Sequence, residues 1–213
     1  MKNMFKKFFG LFVLSIFCSM LGSSPAFAND FPNREIRLVV PWNVGGSNDI
    51  SARQLSKILA SDGINLVVEN VPGATGTIGM AKVANANPDG YTIGMGTSST
   101  LAMIAQGLTP LKNEQFAPIA RVTTDQLLLL VPKDGPARDL ESFEAMIKKN
   151  PGKITFASTG SGSASHLQGE LLNVRADIDT VHVPYKGGSP AMVDLLGGRV
   201  SSYYSALATA DPY

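Results

Sequence analysis

The stretch IRLVVPWNVGGSNDISARQ, residues 36–54, joins an apolar β-type run to a helical pattern through a polar, glycine-bearing turn. The run predicts a strand over 36–41. Residues 48–60 then place Ala52, Leu55 and Leu59 on one helical face with Ile58 beside them. Between them lie Asn43, Val44, Gly45, Gly46, Ser47 and Asn48. Glycines let the backbone turn and approach a ligand, and the free N–H groups and dipole of the following helix favour an anion. Ser47 or Asn48 would cap that helix, with Asp49 as a dipole partner in its first turn. A glycine-eased turn plus a cap would use the same residues.

Outward from this junction the alternation continues. A strand is expected over 65–69, a break at Asn70-Val71-Pro72-Gly73, a helix through Ile78, Ala81 and Val83, and a strand over 91–96. Leu127 to Val131 is apolar throughout, as a strand buried on both faces would be. Asp139 caps a helix whose Leu140, Phe143, Met146 and Ile147 share a face, and Asn150-Pro151-Gly152 stops it. A strand over 154–157, a helix over 163–175 and a strand over 180–184 follow. Ser189 and Pro190 read as the cap and first-turn proline of a further helix ended by Gly197-Gly198. Repeated βαβ units predict an α/β fold with parallel sheets covered by helices. Residues 115–125 lack helical period, which places a hinge near Arg121 to Asp125, with a first α/β lobe over 29–121 and a second over 122–213.

The first 28 residues carry Lys2, Lys6 and Lys7, an apolar run from Phe8 to Leu21, and Ala26-Phe27-Ala28. That reads as a secretory signal peptide, expected to be cleaved after Ala28, because so short a run does not suit a membrane-spanning helix; an uncleaved membrane anchor is the rival reading. Removing it takes away the single cysteine, Cys18, and brings the formal charge from +1 to −2. Disulfides and thiolate metal sites are thereby excluded from the mature chain, and a basic nucleic-acid-binding face is not expected.

Two further loops match the first in character. Gly94-Met95-Gly96-Thr97-Ser98-Ser99-Thr100 and Ala157-Ser158-Thr159-Gly160-Ser161-Gly162-Ser163-Ala164-Ser165-His166 each follow a strand. In open α/β sheets ligands sit at such strand ends, so the three loops together describe a donor-rich cleft. G-x-S-x-G, the P-loop and G-x-G-x-x-G are all absent. His182 alternates with Val181 and Val183 as a strand histidine in a structural role, while His166 suits either ligand contact or packing. No catalytic triad, cofactor or metal site is expected.

These loops lie within LVVPWNVGGSNDISARQLSKIL, VVENVPGATGTIGMAKVANANPDGYTIGMGTSSTLA, NPGKITFASTGSGSASHLQGELL and HVPYKGGSPAMVDLLGGRV. Their order resembles that in the solute receptors of tripartite tricarboxylate transporters, the Bug receptors, from Phe31 to about Val200. The resemblance implies a type II periplasmic binding-protein fold, two α/β lobes closing on a small carboxylate. It also implies delivery of that ligand to integral membrane subunits by a monomeric periplasmic receptor. The matching ligand-binding positions are Val44, Gly45, Gly46, Ser47 and Asp49 with Thr97 and Ser98 from the first lobe. The second lobe supplies Ser158, Thr159, Gly160, Ser163 and His166, with Tyr185 and Lys186.

Trp42 and Asn43 stand where the family usually has Phe-Pro; an indole there would supply either an apolar wall with one N–H donor or a strand-end packing residue. The family continues past residue 213, and SSYYSALATADPY at the end of this chain looks unlike it. An incomplete first lobe is therefore expected, with an exposed sheet edge. The alternatives to a transport receptor are a ligand-sensing periplasmic partner of a sensor kinase and a truncated receptor without function.

Overall fold

The computed structural model describes residues 31–211. The signal-peptide and cleavage expectations lie outside the described residues.

Strand β1 (Ile36–Val40) runs into helix α1 (Ser47–Ser61), then β2 (Leu66–Asn70), α2 (Thr77–Ala84), β3 (Thr92–Gly94) and α3 (Ser98–Ala105). The three strands form a parallel sheet in the order β2-β1-β3, with Leu38 opposite both Val68 and Ile93. As the central strand β1 is almost wholly apolar, and Ile36, Leu38, Val40 and Leu66 pack with Trp42 and Ala52 into one core cluster.

The second sheet contains β4 (Leu127–Leu130), β5 (Thr155–Ser158), β6 (Val181–Pro184) and β7 (Ser202–Ala206). Helices α4 (Leu140–Lys149), α5 (Ala164–Ala176) and α6 (Gly188–Leu196) connect them, and a helical turn, α7 (Leu207–Ala210), follows. Residues 116–126, which link the two sheets, have no regular structure. Asp139 caps α4 as its sequence implies, its Oδ1 accepting from the Ser142 N–H at 2.8 Å. Among the described residues no helix is long and apolar enough to cross a membrane.

Four expectations are corrected. Helix α1 takes Gly46 as its N-cap, with no side-chain bond, so neither Ser47 nor Asn48 caps it. The second sheet is mixed rather than parallel, because β4 runs antiparallel to β7 in the order β4-β7-β5-β6. The all-leucine strand β4 is an edge strand, with Leu127 and Leu128 each 37% exposed; its composition suited a central strand, but β7 occupies that place. Helix α6 begins at Gly188 after an N-cap at Gly187 that lacks a side-chain bond. Ser189 is not its cap; the Ser189 hydroxyl instead donates to the Val44 carbonyl at 2.8 Å.

Strand β7 was not anticipated. Every one of its residues is buried, although it reads SYYSA and holds one aliphatic methyl. Its polar groups are absorbed locally: Ser202 Oγ donates to Thr155 O at 3.1 Å, Tyr203 joins the cluster of Ala157, Met192, Leu195 and Val200, and Tyr204 meets Phe156 edge-on at 5.8 Å. Phe156 also sets the composition of α5, where a Cβ on Gly169 would lie 2.3 Å from its ring.

Candidate functional site

The polar loops converge. The first turns of α1, α3, α5 and α6 contribute Ser47 and Asn48, Ser98 and Ser99, Ala164 and Ser165, and Gly188 to one cleft, with Gly46 and Thr97 just before two of these helices. Each helix start has N–H groups with no preceding turn to accept from them, and the positive end of a dipole of about half an elementary charge; the side chains of Thr97, Ser163 and Ser99 take some of these donors, from Thr100, His166 and Ala164. Among the described residues no Lys or Arg lines this cleft, and Asp125 is its one ionisable carboxylate. The floor comes from β7 and α7 through Tyr203, Tyr204, Ser205 and Thr209.

The turn of 43–48 is rigidly built. Gly45 takes φ +83°, and its N–H donates to Asp49 Oδ2 at 2.9 Å. Asp49 is 2% exposed and also accepts from Arg53 Nε at 2.9 Å and from Asn70 Nδ2 at 2.9 Å. Burial pushes its carboxyl pKa upward, but the bonds from Arg53, Gly45 and Asn70 outweigh this and hold it below the ordinary carboxylate value. The Ser47 N–H donates to Thr209 Oγ1 at 3.2 Å, while the N–H groups of Gly46 and Asn48 have no protein partner among the described residues. Asp49 therefore shapes the turn from beneath, and Gly46 and Asn48 carry its open donors.

A second cleft adjoins the first, and Trp42 and Thr159 line both. Its other walls are Gly73 to Thr75, Gly160 with Ser161, and Pro184 to Lys186. Ala74 and Thr75 hold φ of +44° and +55° between Gly73 and Gly76, which are also positive. A β-branched residue there stores about 1–3 kcal/mol of backbone strain. The Thr75 hydroxyl donates to Ser161 O at 2.9 Å and so ties this strained turn to the loop after β5. Trp42 is 5% exposed, and its Nε1 has no partner among the described residues. Such an unpaired buried donor costs about 1–3 kcal/mol.

Of the residues singled out from sequence, Gly46, Ser47, Thr97, Ser98 and Thr159 line the first cleft, and Thr159, Gly160, Tyr185 and Lys186 the second. Val44, Gly45, Asp49, Ser158, Ser163 and His166 line neither. Ser163 caps α5 by accepting from the His166 N–H. Ser158 Oγ accepts from the Gly160 N–H at 3.1 Å and lies 2.6 Å from His182 Nε2. The His166 ring stacks on His182 at 3.8 Å, and its Nδ1 accepts from the Gly162 N–H. Burial, with His166 as a secondary cause, lowers the His182 pKa to about 4. Tyr185 donates its hydroxyl to Asp194 at 2.7 Å; burial first, then that bond, pushes its pKa up to about 12. The β7 and α7 lining was missed because nothing in SYYSALATA has the pattern of a strand end feeding a ligand loop, although its two tyrosines suit a strand.

Comparison with known proteins agrees with this architecture. Residues 50–213 match the tripartite tricarboxylate transporter family receptor. The protein BugT of Bordetella pertussis is 37% identical over 203 residues, covering 90% of this chain and 61% of its own length. MatC of Rhodopseudomonas palustris, solved with bound malate, superimposes with a TM-score of 0.78 at 32% identity, over 85% of this chain and 63% of that one. An R. palustris protein solved with adipate gives 0.74 at 28% identity, over 86% and 62%. The chain thus spans about 60% of the length of these relatives. The fold is that of the periplasmic binding proteins, and this chain belongs to the tripartite tricarboxylate transporter receptor family.

Proposed function

We propose that this chain captures a small carboxylate outside the cytoplasm and presents it to integral membrane transporter subunits, without turning it over. The observation that carries the reading is the convergence of four helix N-termini on a cleft that has no basic side chain among its described lining residues. Uncharged donors with aligned dipoles stabilise an anion without the desolvation cost of burying a guanidinium or ammonium beside it. The carboxylates held by two structural neighbours, malate and adipate, support the same ligand class.

Export after cleavage at Ala28 and a monomeric receptor belong to this proposal. So do two lobes, 29–121 and 122–213, that close about the irregular 116–126 segment. The return of the chain from β7 into α7, where Thr209 meets Ser47, supports a second crossing between them.

The test is a thermal melt of the purified chain followed by the fluorescence of its single tryptophan, Trp42, against mono-, di- and tricarboxylates, sugars and divalent metals. Ligand at a hundred times its Kd adds about 2.7 kcal/mol, a rise of roughly 5–10 °C for a chain of this size. One carboxylate producing that shift is the expected result. A shift produced by a sugar or a metal, with none from any carboxylate, overturns the reading.

A further inference from the structure

The second cleft is chemically unlike the first. Its walls are the strained turn Gly73 to Thr75, the Thr159 to Ser161 loop and the turn holding Tyr185 and Lys186. Several of its donors are committed to protein acceptors: Thr75 Oγ1 to Ser161 O, the Gly160 N–H to Ser158 Oγ, and the Tyr185 hydroxyl to Asp194. Lys186 is exposed, lines this cleft and makes no ion pair among the described residues. Tyr185 is anchored beside it by Asp194, which is itself paired with Arg199 at 2.8 Å, so the turn that carries the lysine is fixed.

Trp42 stands between the two spaces, lining both, with an indole N–H that no protein group accepts. A ligand with one carboxylate in the first cleft, reaching past Trp42 and Thr159, the two residues that both clefts share, would bring a second carboxylate to the cleft that Lys186 lines. That sequence of chemistry, uncharged anion cradle, apolar partition, cation, matches an extended dianion better than a monoanion.

We propose that Trp42 divides a two-part ligand site, and that the second cleft takes the distal carboxylate of an extended dicarboxylate through Lys186. The proposal rests on the carboxylate-receptor reading above. It adds that the length and second charge of the ligand are read by Trp42 and Lys186.

Calorimetric titration of the full chain with butyrate, malate and adipate, at low and moderate salt, tests it, using wild type, Lys186→Gln and Trp42→Phe. Lys186 is exposed, so its variant is expected to melt as wild type does, and the melt is recorded alongside. The expected result is a roughly 3- to 10-fold loss of affinity for the preferred dicarboxylate in Lys186→Gln, shrinking as salt screens the charge, with butyrate unchanged within about 2-fold. Trp42→Phe, which keeps an aromatic wall but removes the N–H, shifts the preference between malate and adipate. Equal losses for butyrate and the dicarboxylates, or no loss for either dicarboxylate, overturn the two-part site while leaving the receptor reading standing. A wild-type chain that binds none of the three, in its folded state, overturns the receptor reading and this proposal together.

Discussion

His182 faces the His166 ring, the Ser158 hydroxyl and Phe156, and Glu170 lies 3.5 Å beyond the far nitrogen of His166. With its pKa lowered from 6.5 to about 4 in the folded protein, the unfolded chain binds the extra proton first on acidification. Stability conferred by the neutral ring is therefore complete above pH 6.5 and is lost as the pH falls toward 4, by about 2 kcal/mol once its partial exposure is allowed for. Urea melts between pH 7 and 4 should show this loss, and His182→Gln should flatten the curve in that window. The aspartates held low, Asp49, Asp139 and Asp194, add their own losses only at more acid pH. A wild-type curve already flat between pH 6.5 and 4 would contradict the buried neutral ring. The same cluster shows where reading residues from sequence stopped. Gly46, Ser47, Thr97, Ser98 and Thr159 were legible as cleft residues because they sit where strands hand over to helices. Ser158, Ser163 and His166 sit in equally suggestive positions but spend their polar atoms on one another's loop, a choice made by rotamers and neighbours that composition does not encode.

Among the elements, β1, β2 and α4 were readable because apolar period, cap and stop agree with one another, whereas α1 was readable from its apolar face alone, its N-cap being Gly46 without a side-chain bond. Strand β4 was readable as a strand but not as an edge, since four leucines say nothing of which neighbour will arrive. The distinction is measurable. Leu128→Thr should change stability by less than about 1 kcal/mol, because Leu128 is half-exposed and threonine suits a strand. A loss of about 3 kcal/mol or more in chemical denaturation would restore the fully buried strand. Strand β7 failed to announce itself because burial usually selects aliphatics, whereas here serine hydroxyls answer to backbone carbonyls and tyrosine rings fill the volume.

The whole molecule depends on that strand more than its composition suggests. β7 pairs with β4 on one side and β5 on the other, fills the core with Tyr203 and Tyr204, and through Thr209 in the turn that follows holds the Ser47 N–H. A chain ended after Val200 is expected to lose cooperative thermal unfolding entirely, as judged by near-ultraviolet circular dichroism; a sharp melt in that variant would show that the second sheet stands without β7. The placement also bears on how the protein is made. Leu128 must wait for Ser205, its partner across the sheet, so the second sheet cannot close while the intervening residues are still being synthesised. Long-range pairing of this kind slows folding, so β4 and β5 are joined in one sheet only after β7 has been made and lies between them.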